Sequence, residues 1–299
     1  MGFMPRLRPR TPGSASRRHT STMAGVSRCM SRRTSSLTPR WSSSIFQWRA
    51  NFTLTTASLT GGAGLAPRRT VVRVGSGSVN GDWALRDFLG FYVETGSVSI
   101  DVKPEEEEKE GVRPTFEVEV GTGSVQLRYP PVGWVVPRRE YVTKIGARTG
   151  SVGGNIVHGV ETDVLVGRGR GDKGRVGSGS INLAVKPVEG RWNSTLSTEG
   201  RGSTNVRVLT PVHAEGAWKG LRSSHREGVG SVNLHYPAVW EGRIKGTTQG
   251  WGSLSVRGSG VEVIKESRGE IEAVKGHGEG SELEFWVGMG SGHLFVGDD

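Results

Sequence analysis

The stretch Gly96-Ser97-Val98-Ser99-Ile100-Asp101-Val102-Lys103-Pro104 decides the fold. After the Gly-Ser pair, Val98, Ile100 and Val102 alternate with polar residues, the period of a strand with one buried face. Proline then closes it, because proline has no N–H to offer a neighbouring strand. The same unit recurs as Gly123-Ser-Val-Gln-Leu127, Gly179-Ser-Ile-Asn-Leu183, Gly230-Ser-Val-Asn-Leu234 and Gly252-Ser-Leu-Ser-Val256. Gly202-Ser-Thr-Asn-Val206 is a weaker copy, and Gly77-Ser-Val79 and Gly150-Ser-Val152 keep the first half. Pro130, Pro187, Pro211 and Pro237 close further copies.

Successive glycines lie 19, 27, 27, 29, 23, 28 and 22 residues apart. A repeat of about 25 residues is the sequence signature of a solenoid, in which each unit buries its apolar face against the next. The segments before the signatures also alternate, as in Phe116-Glu-Val-Glu-Val120 and Val160-Glu-Thr-Asp-Val-Leu-Val166. One repeat therefore carries two strands with a glycine corner between them. The predicted fold is an all-β, β-solenoid/β-helix-like stack of about 25-residue repeats over residues 66–299. Its predicted interior holds Val98, Ile100, Val125, Leu127, Ile181, Leu183, Val232, Leu234, Leu254 and Val256. The repeated serines read as turn residues that form a polar ladder. Trp83-Ala-Leu-Arg-Asp-Phe-Leu-Gly-Phe91 reads as a short helix covering the open end of the stack.

Residues 1–65 differ in kind. They are rich in Arg, Ser, Thr and Pro, which predicts a disordered basic tail. Residues 1–81 contain thirteen Arg and no Asp or Glu. Taking those thirteen from the 39 Lys and Arg leaves 26 basic residues against 29 acidic ones in the remainder. The net charge of +10 thus belongs to the tail, and the β body lacks the positive field that nucleic-acid binding needs. An Arg- and Ser-rich, acid-free N-terminus also has the composition of a mitochondrial targeting segment. Cys29 is the single cysteine, so neither a disulfide nor a cysteine-based zinc site is expected. No run of apolar residues is long enough for a transmembrane helix.

The region from 66 onward resembles an adhesin domain family of unknown function found in bacteria, and more closely its fungal relatives. The carrying residues are the Gly-Ser-aliphatic copies and the continuous stretch Gly77–Pro104. In the fungal domain a Gly-Ser strand, an aromatic-Leu-Asp-Leu-Leu-like segment and a second Gly-Ser strand likewise end at proline. The resemblance implies a β-solenoid-like stack and no established activity. With no convergent catalytic cluster in the sequence, the expectation is a non-enzymatic, adhesin-like structural or interaction module whose ligand is open, a protein or glycan surface being the candidate partner.

Motifs for chemistry are weak. Gly169-Arg-Gly-Asp-Lys-Gly174 spells a dinucleotide fingerprint, but a strand signature follows where a helix is required. Arg170-Gly-Asp172 reads as part of the same turn. The acidic run Glu105–Glu110 reads as a solvated insertion, since a calcium loop spaces its carboxylates. No G-x-S-x-G elbow occurs. His158, His213, His225, His235, His277 and His293 share no spacing and read as solvated. His277, Glu279 and His293 form the densest candidate metal set, yet three donors on flexible glycine-rich chain fall short of a closed zinc site. No catalytic, cofactor or metal residue is assigned. The alternative is a β-helical carbohydrate-active enzyme or carbohydrate-binding protein. Its carboxylate pairs are Glu117 with Glu119 and Glu161 with Asp163; such pairs also serve as solubilising charges on exposed strands. Among Trp134, Trp192, Trp218, Trp240 and Trp251, which lie near turns, Trp240 and Trp251 are the candidate binding-surface aromatics. The competing expectation is that these rings fold back onto the stack.

Overall fold

The computed structural model describes residues 49–61, 67–106, 111–167, 177–190, 192–214, 216–278 and 280–297, the first of these stretches as backbone alone. The acidic run beyond Glu106, the 169–174 glycine motif with its Arg-Gly-Asp, Glu279 and residues 1–48 of the tail lie outside them.

The chain is all β. Its strands in order are β1 (Arg49–Gly61), β2 (Arg69–Leu85), β3 (Phe88–Thr95), β4 (Val98–Pro104), β5 (Thr115–Thr122), β6 (Val125–Arg128) and β7 (Val142–Thr149). Then come β8 (Val152–His158), β9 (Glu161–Val166), β10 (Ile181–Pro187), β11 (Ser194–Gly200), β12 (Ser203–Val208), β13 (Leu221–Val229) and β14 (Ser231–Tyr236). The last six are β15 (Gly242–Thr248), β16 (Leu254–Gly258), β17 (Val261–Ser267), β18 (Glu270–Lys275), β19 (Ser281–Met289) and β20 (Gly292–Val296).

Two parallel faces result. Face A runs from the first half of β2 through β3, β5, β7, β9, β11 and β13 to β19 and β15. Face B runs from the second half of β2 through β4, β6, β8, β10, β12 and β14 to β20 and β16. Strand β2 spans both faces, and so does β1, which pairs with it in parallel. The repeat architecture therefore starts before residue 66. Trp83–Phe91 is strand and bend rather than helix, because β2 continues to Leu85 and β3 begins at Phe88. Leu85, Leu89 and Phe91 are buried in the core, so this apolar segment belongs to a coil.

The corner explains the glycines. Gly96, Gly123, Gly150 and Gly230 have φ between 132° and 141°, where side-chain-bearing residues are strained. A Cβ on Gly96 would stand 1.6 Å from the carbonyl oxygen of Gly77, and one on Gly123 1.6 Å from that of Gly96. The same contact continues through Gly150, Gly179, Gly202 and Gly230, a glycine ladder down one edge. Backbone bonds tie it together: Gly96 N–H donates to Thr122 O at 2.8 Å, and Val98 N–H to Ser124 O at 2.9 Å. The serines therefore contribute through their carbonyls. A side-chain contact between neighbouring corners occurs at Ser253 and Ser291, whose Oγ atoms lie 3.4 Å apart.

At the opposite edge the turns are tied by individual side-chain bonds. There the buried Arg139 donates to the carbonyls of Arg86 and Glu105 at 2.9 Å and of Val112 at 3.2 Å, tying turns of adjacent coils. Glu189 pairs with Arg138 at 2.5 Å, and Lys275 donates to Ala238 O at 2.5 Å. Each of these bonds satisfies a group that water cannot reach freely.

Coil order departs from chain order at the C-terminal end. The coil of β15 and β16 does not stack on that of β13 and β14. The last coil, β19 and β20, lies between them, paired in parallel on both sides. The glycine ladder follows this spatial order, from Gly230 to Gly290 to Gly252. Strand β18 adds antiparallel to β15, and β17 to β18. The outermost strand, β17, carries Glu262, Lys265 and Glu266, charges that discourage further pairing at an edge. The inserted coil escapes the sequence signature because Gly292 stands where an aliphatic residue is expected. A Cβ there would meet Phe285 Cε2 at 2.7 Å, and one on Gly246 would meet Phe285 Cζ at 2.3 Å. The ring of Phe285 fills the space that those side chains would take.

The interior between the faces is mainly apolar and takes in buried polar groups, among them Thr143, Thr198, His225 and Glu227. Val98, Ile100, Val125, Leu127, Ile181, Leu183, Val232, Leu234 and Val256 are buried as expected, while Leu254, in the terminal coil, is half-buried.

Candidate functional site

Alternation turns every second side chain outward, so parallel register builds vertical rows on each outer face. On face A these rows are charged and mutually engaged. Tyr92 Oη donates to Glu117 at 2.9 Å, Lys144 pairs with Glu161 at 3.0 Å, and Ser197 Oγ donates to Asp163 at 2.7 Å. Partial burial, with the Glu117 carboxylate beside it, pushes the Tyr92 phenol up to about 12. The sequence-level carboxylate pairs thus sit on one face, in separate coils, with their own partners. Farther along, Glu199, Arg201, Arg226, Lys245, Glu284 and Trp286 line a groove of about 660 Å³.

Face B changes character along its length. Toward the N-terminal end its charges pair across coils: Lys103 with Asp82 at 2.8 Å, and Arg128 with Asp101 at 2.5 Å. Toward the C-terminal end, a groove of about 770 Å³ is lined by two rows and by no carboxylate. One row reads Asn182, Asn205, Asn233, His293, Ser255, one residue per strand from β10 to β16. Asn233 Nδ2 donates to Asn205 Oδ1 at 2.8 Å, and His293 Nδ1 lies 2.8 Å from Ser255 Oγ. The adjacent row reads Arg207, His235, Phe295, Arg257. His235 and Phe295 stack face to face, with centroids 5.2 Å apart and planes at 15°.

The asparagines occupy the variable position between the two aliphatic residues of the Gly-Ser signature. That is the signal by which they were legible: position X is Asn in three successive copies. The Arg-His-Phe-Arg row had no such signal, because Phe295 belongs to the coil inserted out of order.

The aromatic candidates separate. Trp240 is 0 % exposed, packed edge-on against Tyr236 at 5.7 Å, so it belongs to the core and to no binding surface. Its proximity to a turn reflects a bridge to Trp218, also buried, at the loop edge. Trp251 is 87 % exposed, with the Arg268 guanidinium 5.7 Å from its ring centroid. It sits at the glycine corner, two residues before Ser253, which lines the groove of face B.

Two histidines expected on the surface are sealed inside. His225 is fully buried on face A, with Nδ1 2.8 Å from Thr198 Oγ1 and Nε2 2.8 Å from Tyr236 Oη. His158 is buried with Nδ1 2.9 Å from Thr162 Oγ1. Burial lowers their pKa values to about 3 and about 4, so both are neutral imidazoles. Glu227, buried two residues from His225 on β13, accepts hydrogen bonds from Gly202 N–H and Thr204 Oγ1, each at 2.8 Å; burial raises its pKa. These groups do not reach solvent and read as structural. Among the described residues, no group of three His, Cys, Asp or Glu side chains is placed to hold a metal ion, and no helix is long and apolar enough to cross a membrane. His277 is exposed beyond β18, and His293 is engaged with Ser255.

The fold and the two outer faces define a solenoid-like, two-faced parallel β-stack. No protein-family model, curated protein or solved structure matches the chain.

Proposed function

We propose that the chain is a non-enzymatic, adhesin-like interaction module that binds its partner on the outer face of the stack. The observation that carries this reading is the C-terminal half of face B. There, exposed amide, imidazole and guanidinium groups recur once per coil on a rigid sheet, and the lining holds no carboxylate. Sites built on strands are held more tightly than sites on loops. The resemblance of Gly77–Pro104 to the adhesin domain family supports the same reading.

The test is binding of the full chain to arrays of neutral and acidic glycans and to immobilised extracellular proteins. Binding is expected, and Asn205→Ala with Asn233→Ala should abolish it while leaving the thermal unfolding transition in place. Equal binding by wild type and variant would exclude this face.

A carbohydrate-active enzyme is the second reading, favoured by Glu199 and Glu284 in the groove of face A. Their strands, β11 and β19, are separated by β13, a lateral step of about 9–10 Å. Glu284 also lies two residues out of register with Glu199 along the strands, so their backbones are about 12 Å apart, and the separation of up to about 9.5 Å used by inverting glycosidases requires the two side chains to lean together. Release of reducing ends from a polysaccharide, lost in Glu284→Gln, would establish it; no release by the wild type would remove it.

A further inference from the structure

Resting on the interaction-module reading, we propose that the groove of face B between Arg207 and Arg257 binds a linear acidic polysaccharide, its chain lying along the stack axis. Three observations carry this. First, the polar row Asn182, Asn205, Asn233, His293, Ser255 advances one residue per strand, about every 4.8 Å. Five equivalent rungs suit a ligand that itself repeats along a line; a small molecule would cover only two or three.

Second, the groove is cationic by composition. Arg207 and Arg257 lie at the two ends of the second row, with His235 and Phe295 between, and no Asp or Glu is in the lining. Among the described residues no carboxylate forms an ion pair with Arg257. The β body as a whole is slightly acidic, so this positive patch is local. Amide N–H groups and guanidinium forks are the donors that recognise carboxylate and sulfate oxygens.

Third, the aromatic geometry argues against single-stranded nucleic acid. Such ligands bind by stacking bases on exposed ring faces. Here the His235 and Phe295 faces lie against each other at 15°, and each coil places the next row member above or below them. Phe295 stays partly exposed while both ring nitrogens of His235 are buried, so no free ring face is offered between them to a stacking base.

The experiment is affinity electrophoresis and calorimetry of the full chain with four probes: polygalacturonate, dextran sulfate, unmodified dextran and poly(U). The proposal expects binding of polygalacturonate or dextran sulfate and little of dextran. The difference between the two acidic probes identifies carboxylate or sulfate as the recognised group. Arg257→Glu should weaken acidic-polysaccharide binding at least tenfold, and Arg257→Gln with His293→Ala should do the same if the first variant does not fold. The joint variant Arg6→Gln, Arg8→Gln, Arg10→Gln is the control for the basic N-terminal segment and should leave most of the affinity. Loss that follows the N-terminal variant instead of the groove variants would overturn the proposal, as would unchanged affinity in Arg257→Glu. Tight Arg257-dependent binding of dextran or poly(U) would overturn the acidic-polysaccharide assignment while leaving face B as a binding surface. Absence of binding to all four probes would overturn the polysaccharide proposal, and the array of glycans and proteins would then decide the broader reading.

Discussion

The coils of β3 to β6 and those of β11 to β14 share a backbone and differ in what they enclose. In the first set the inward positions of face A are Leu89, Phe91 and Val93, then Phe116, Val118 and Val120, all buried and all apolar. In the second set the corresponding positions are Leu196, Thr198 and Gly200, then Ser223, His225 and Glu227. The interior stays closed because Thr198, His225 and Glu227 bond to neighbours in the stack. Thr198 meets His225 across one strand step, His225 meets Tyr236 across the core, and Glu227 meets Thr204 and the Gly202 N–H. A parallel stack can therefore be held by hydrophobic burial in one half and by a bonded polar thread in the other. What both halves share is the glycine corner, where the backbone itself is the contact.

The largest effect should strike both halves alike. Gly123→Ala and Gly230→Ala place a Cβ 1.6 Å and 1.3 Å from the carbonyl oxygen of the neighbouring corner glycine, at positive φ. Left-handed strain alone costs about 1–3 kcal/mol, and the collision adds separation of two coils. Neither variant should give a cooperative thermal unfolding transition by circular dichroism; a wild-type-like transition in either would show that the corner can open.

The next effect belongs to the apolar half. Phe116 is fully buried and packs edge-on against Tyr129 at 5.3 Å. Phe116→Ala should cost about 3–5 kcal/mol, read as a fall in the urea midpoint with unchanged slope.

The smallest effect belongs to the polar half and depends on pH. The ordinary histidine pKa is about 6.5, and burial lowers those of His225 and His158 to about 3 and about 4. Below pH 6.5 the unfolded chain therefore binds protons that the native chain refuses, so stability falls as pH falls. The expected slope is about 1.4 kcal/mol per pH unit for each histidine, down to its folded pKa. Above pH 6.5 this contribution is constant. Glu227 acts with the opposite sign, since its raised pKa lets the native state hold a proton that the unfolded chain has released. Comparing wild type with His225→Gln between pH 7.5 and 5 isolates the histidine. The variant should lose less stability on acidification, and parallel curves would show that His225 is solvated.

The same contrast explains what could be read from residues alone. The Gly-Ser-aliphatic strands of face B were legible because their inward positions are aliphatic. Strands β11 and β13, Ser194-Thr-Leu-Ser-Thr-Glu-Gly200 and Leu221-Arg-Ser-Ser-His-Arg-Glu-Gly-Val229, show little apolar alternation, because several of their inward positions are buried polar groups, with Thr198, His225 and Glu227 held by hydrogen bonds. His225 looked solvated for that reason. Trp240 looked exposed because it lies near a turn, and the turn folds its ring into the core. Strand β1 was hidden in the composition of the basic segment around it. The asparagine row of the candidate site was present in the signature, while its Arg-His-Phe-Arg neighbour was not, since adjacency there depends on coil order.

By itself, the sequence determined the strand period, the glycine corner and the all-β repeat, because these are local consequences of side-chain alternation and backbone conformation. Only the tertiary structure decided the order of the last coils and, with it, which outward residues stand side by side. Parallel pairing accepts any coil whose corner glycine and inward volume fit. The coil of β19 and β20 fits between its neighbours because Phe285 fills the space left by Gly246 and Gly292, a match between distant positions that no local pattern records.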